Sequence, residues 1–104
     1  MIHPFYEKCV LDFTTNETGK TLHYELFLNT TIFGNPYFSM TCYDESDFKK
    51  RTIFYGETDL YMVFDKLLDT SVGRMSEDDV DRIIHSYSDM LIEGLKHRLN
   101  KNVY

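Results

Sequence analysis

The apolar residues of this chain change their spacing once, near residue 57, and that change limits the fold more than any other feature. Before it, apolar side chains alternate one in two, as on strands half-buried against a core. After it, they recur at three and four residues, as on amphipathic helices. Strands grouped first and helices grouped second predict an α+β fold, because α/β folds interleave the two.

The first strand is predicted at about Glu7 to Thr14, with Cys9, Leu11 and Phe13 on one face and Lys8, Val10 and Asp12 on the other. The run from Thr15 to Lys20 is turn-forming. The second strand, about Thr21 to Asn29, sets Leu22, Tyr24, Leu26 and Leu28 against His23, Glu25 and Phe27. Past Gly34-Asn35-Pro36, a third from about Tyr37 to Tyr43 sets Phe38, Met40 and Cys42 against Ser39 and Thr41. A charged connection leads to a short fourth strand, Thr52 to Tyr55.

In the helical half, Leu60, Val63, Phe64, Leu67 and Leu68 follow the helix rule, with Thr58 as the expected N-cap and Gly73 just past the end. Ser76 and Asp79 predict a capping box for a second helix, with Met75 and Val80 at the staple positions. Val80, Ile83, Ile84, Tyr87, Leu91, Leu95 and Leu99 form its expected core stripe. Acids Glu77, Asp78, Asp79 and Asp81 crowd its start, and Lys96, Arg98 and Lys101 crowd its end, which complements the helix dipole. Gly94 interrupts this helix at a cost of about 1 kcal/mol relative to Ala, which predicts close approach of another backbone. The expected architecture is an antiparallel four-stranded β-meander followed by two helices packed on one face, ββββαα, in a single α+β domain over residues 1–104.

Matching the apolar faces pairs Phe13 with Leu22 and Leu28 with Phe38. On that register Cys9 and Cys42 both lie in the core, on nonadjacent strands, too far apart for a disulfide. Neither belongs to a zinc-type motif, and no metal or cofactor is expected. The same register lines up Asp12, His23 and Tyr43 on the opposite face, which has the composition of a small acid–base site. The plain alternative is an exposed cross-strand trio. His3 lies near the N-terminus, His85 beside the stripe and His97 in the last helical turn, and no phosphate loop, HExxH or nucleophile elbow occurs. No catalytic residues are therefore expected.

The net charge is −6, and the segment from Glu57 to Asp81 alone carries that charge, with eight acids against Lys66 and Arg74. Such a chain repels a phosphate backbone and an anionic membrane surface, so direct nucleic-acid and membrane binding are not expected. Lys49-Lys50-Arg51 is a lone basic cluster that follows Asp44, Glu45 and Asp47. No basic leader with an apolar run opens the sequence, so a cytoplasmic location is expected. The acidic belt, including Asp59, Asp65, Asp69, Glu77 and Asp78, either caps helices and solubilises the chain or faces a basic partner, as a nucleic-acid mimic would.

The chain holds eight Tyr and eight Phe, more aromatics than the expected core uses. Phe27, Tyr37, Tyr43 and Phe54 are expected on the outer strand faces, where together they make a partner-binding patch unless Phe5 and Tyr6 fold across it. The leading expectation is a non-enzymatic protein-interaction module, with a protein partner or a second copy of itself. An acidic inhibitor acting through the belt is the second reading, and a small enzyme using Asp12, His23 and Tyr43 the third.

Overall fold

A computed structural model describes residues 7–71 and 73–102, so His3, Phe5 and Tyr6 lie outside the described residues. Four strands, β1 (Glu7–Glu17), β2 (Lys20–Thr30), β3 (Pro36–Asp44) and β4 (Lys50–Glu57), precede two helices, α1 (Leu60–Thr70) and α2 (Glu77–Asn102). The strands form one antiparallel sheet in the order β1-β2-β3-β4, the expected meander. Each strand is longer than its alternation alone indicates, because pairing with a neighbour carries polar ends such as Thr15-Asn16-Glu17 into the ladder.

The first hairpin closes on Thr18 and Gly19, both with positive φ (47° and 77°), between the paired residues Glu17 and Lys20. Two left-handed residues match the twist of the flanking strands, and Gly19 adopts that conformation without strain. The β2–β3 pairing follows the expected register, with Leu28 opposite Phe38 and Tyr24 opposite Cys42. The β1–β2 pairing differs by two residues: Phe13 lies opposite Tyr24, not Leu22, and their rings stack at 5.1 Å. A two-residue slip keeps every side chain on its face, so alternation alone does not distinguish the two registers.

A bulge between Cys9 and Leu11 changes which residues face inward. Its extra residue turns Val10 into the core, 2% exposed, and leaves Cys9 opposite Phe27 on the outer face. Cys9 is therefore exposed rather than buried, whereas Cys42 is buried as expected, and both are free thiols. Two further irregularities lie in the β3–β4 pairing, where Ile53 and Gly56 are the extra residues on β4. They place Phe54 opposite Met40, inside the core, and turn Tyr55 outward. The expected outer position of Phe54 is thus corrected to Tyr55.

Both helices cover the same face of the sheet. Val63 and Leu67 from α1, and Ile83 and Met90 from α2, join Leu11, Tyr24, Leu26, Leu28, Phe38, Met40, Cys42 and Phe54 in one apolar cluster. Fully burying a side chain such as Leu26 or Phe38 contributes about 1.5–3 kcal/mol. Asp59, not Thr58, caps α1, its carboxylate accepting from the Tyr61 N–H at 2.9 Å. The capping box of α2 forms as expected: the Ser76 hydroxyl accepts from the Asp79 N–H at 3.1 Å, and the Asp79 carboxylate accepts from the Ser76 N–H at 3.3 Å.

The expected backbone approach at Gly94 is present. A Cβ built there would lie 2.2 Å from the carbonyl oxygen of Gly34, in the β2–β3 loop. Arg98 donates to Asn35 of the same loop, so this part of α2 is held at two points. The expected core stripe of α2 is only partly realised. Of its members Ile83 is buried and Tyr87 stacks on Phe38 at 5.7 Å, but Ile84, Leu91, Leu95 and Leu99 are exposed, and Met90, outside the expected stripe, is buried instead.

Candidate functional site

With both helices on one face, no described element covers the other face of the sheet. Register assigns its rows directly, since paired residues share a face. One row runs through Thr14, His23, Tyr43 and Lys50; the next through Asp12, Glu25, Thr41 and Thr52; the next through Cys9, Phe27, Ser39 and Tyr55. Tyr37, opposite Asn29, follows at the far end.

The first row is a stack of flat groups. The His23 and Tyr43 rings lie parallel, 4.7 Å apart and 6° from coplanar, and Phe48 continues the stack 6.0 Å from Tyr43. Lys50 sits 5.6 Å from the centre of the Tyr43 ring and pairs with Glu25 at 2.8 Å. The hydrogen bond with Glu25, and then its charge, raise the Lys50 pKa above the ordinary value. Asp12 does not complete the expected row. The two-residue slip places it opposite Glu25, and Thr14 stands opposite His23 instead. The carboxylate nearest His23 is that of Glu45, at 3.8 Å, on the exposed β3–β4 loop. A shallow depression of about 290 Å³ lies here, lined by Asp12, Thr14, His23, Glu25 and Tyr43 among others.

The other end of the face is phenolic. The Tyr37 and Tyr55 hydroxyls share a hydrogen bond at 3.1 Å, and their rings meet at 59°. That bond, then burial, raises the Tyr37 pKa. Asn29 Nδ2 donates to Ser39 Oγ at 3.1 Å beside them, and both residues are buried. Tyr55 is 73% exposed, whereas Phe27, Tyr37 and Tyr43 are half-buried by their neighbours in the rows. Cys9, next to Phe27, is exposed as a residue, but partial desolvation of its thiol, and then the carboxylates of Asp12 and Glu25, push the thiol pKa up. A raised thiol pKa weakens its nucleophilicity at neutral pH.

Three of the four expected aromatics, Phe27, Tyr37 and Tyr43, therefore occupy this face. Tyr55 and Phe48 were not anticipated. Tyr55 is turned outward by the extra residue Ile53, which the alternation pattern does not mark. Of the acidic belt, Asp59 and Asp79 are engaged in helix capping, and Glu57 accepts from the Thr58 and Asp59 N–H groups. Asp65, Asp69, Glu77, Asp78 and Asp81 are exposed, and none forms an ion pair among the described residues. No group of His, Cys, Asp and Glu among the described residues is arranged to hold a metal ion. In comparisons with known proteins, no family model, no curated protein and no solved structure matches this chain.

Proposed function

We propose that the chain is a non-enzymatic protein-interaction module whose binding surface is the open face of the sheet. One observation carries this reading: the helices cover one face only, and the other presents Phe27 and Tyr55 in one row, Tyr37 in the next, and Tyr43 beyond the intervening row of Glu25 and Thr41. Aromatic side chains with a polar tip are enriched where proteins meet, because they bury large area at low entropic cost and still satisfy a hydrogen bond. The Tyr37–Tyr55 pair holds two such groups ready in one orientation. Two free thiols fit the reducing cytoplasm. Among the described residues no helix is long and apolar enough to cross a membrane.

The exposed, unpaired acids Asp65, Asp69, Glu77 and Asp78 favour a second reading, an inhibitor that occupies a basic groove. Affinity capture from native cells, read by mass spectrometry, separates the two. The sheet-face reading expects a partner retained at high salt, lost on Tyr55→Ser with Phe27→Ser, and kept on Asp65→Lys with Asp69→Lys. A partner released by salt and lost only with the lysine variants moves the function to the belt.

A further inference from the structure

We propose that α2 also mediates self-association, with a second copy of the chain laying its own α2 antiparallel along the exposed apolar side of the first. The contact line of α2 with its own sheet is narrow: Ile83, Met90 and Gly94 are buried, at i, i+7 and i+11. Ile84, Leu91, Leu95 and Leu99 lie on a second line turned about 100° from the first, given 3.6 residues per turn. Their exposure runs from 38% at Leu91 to 61% at Leu99, and Ile92 flanks them at 50%. The steps of seven, four and four residues are those of a helix–helix seam. The β2–β3 loop seated on Gly94 adds exposed Ile32 and Phe33 at the same end of the helix.

The charge order identifies the occupant. The first turns of α2 hold Glu77, Asp78, Asp79 and Asp81 before any base, and beyond Leu95 come Lys96, Arg98 and Lys101 with no acid. A parallel copy would set like charges together. An antiparallel copy that sets Ile84 opposite the second copy's Leu95 also sets Asp81 opposite its Arg98, and twofold symmetry repeats both contacts. The five exposed side chains leave on the order of 400 Å² of apolar surface, the size of the largest patch on a typical monomer. Two such patches bury about 800 Å², and the flanking side chains bring the total near the roughly 1,200 Å² at which specific interfaces begin.

Sedimentation equilibrium of the full chain up to about 300 µM, a range that captures micromolar affinities, tests this. The wild type is expected to dimerise. Leu95→Asp, at an exposed position, is expected to be monomeric with unchanged circular dichroism and, at concentrations where the wild type is itself monomeric, an unchanged unfolding midpoint. Asp81→Lys is expected to weaken the dimer about tenfold and flatten its salt dependence. Phe27→Ser and Tyr55→Ser are expected to leave it intact, so loss of the sheet-face partner and loss of the dimer are separate outcomes. A wild type that stays monomeric throughout, a dimer that survives Leu95→Asp, or one strengthened by Asp81→Lys overturns the proposal.

Discussion

Replacing Gly94 with Ala sets two effects of known size against each other. In a helix interior, Ala is favoured over Gly by about 0.8–1.0 kcal/mol. The new methyl, however, would lie 2.2 Å from the Gly34 carbonyl oxygen and 3.1 Å from its carbonyl carbon. Even a weak C–H···O contact requires about 3.3 Å, so the helix and loop must part by about 1 Å. The loop resists, because Thr31 N–H donates to Asn35 O and Gly34 N–H donates to Thr31 O, each at 2.9 Å. The Thr31 hydroxyl also accepts from the Phe33 and Asn35 N–H groups. Overpacking by one methyl typically costs about 1–3 kcal/mol, and rigid backbone on the facing side places this case at the upper end. The clash therefore wins, with a net loss of about 1–2 kcal/mol. Urea unfolding should show the midpoint falling by about 0.5–1 M at an m-value ordinary for a chain this size. Ser88→Ala, on the exposed side of the same helix, should change stability by only a few tenths of a kcal/mol. A Gly94→Ala midpoint at or above wild type would refute the seating of the loop on the helix.

Removing either half of the capping box, by Ser76→Ala or Asp79→Ala, should cost about 1 kcal/mol in thermal or urea unfolding. A thiol reagent should label Cys9 in the native state and Cys42 only on unfolding. Because the folded Cys9 thiol titrates above its ordinary value, its labelling rate should still be climbing at a pH where a free peptide thiol has levelled off. The Asp44 carboxylate accepts from the Ser46 N–H at 2.9 Å and from its hydroxyl at 3.0 Å, and these bonds lower its pKa. A depressed carboxylate pKa contributes stability that is present above the unfolded value and lost as pH falls through the folded one. Asp44→Ala should therefore be less stable than wild type at pH 7, with the gap closing once wild-type Asp44 is protonated.

Alternation and helical spacing made the ββββαα order legible, since each is a direct consequence of which face meets the core. The capping box and the Gly94 approach were legible too, because each rests on a residue whose chemistry has few other uses in a helix. What stayed hidden were the insertions of single residues. The bulge at Val10 exchanged the faces of Val10 and Cys9, and the one at Ile53 exchanged those of Phe54 and Tyr55. The separation of Asp12 from His23 came from a slip of two, which preserves every apolar contact face. For α2, periodicity marked an apolar side wider than the sheet can cover, so it did not distinguish the buried Ile83 from the exposed Leu95. Met90 falls outside the expected stripe but is 8% exposed, beside the line of close contact that Gly94 permits.

The strand order β1-β2-β3-β4 also bears on how the chain is made. Every strand finds its partner immediately before or after it in sequence, across a short connection, so the sheet can zip together as it emerges from the ribosome, without waiting for distant segments. Its lid comes last. Leu26, Leu28, Phe38 and Met40 have no covering helix until α1 and then α2 have been synthesised, and Ile83 and Met90 belong to the final element. In that interval the nascent sheet presents a bare greasy face and unpaired edges, the form most readily captured by a chaperone or by another unfinished chain.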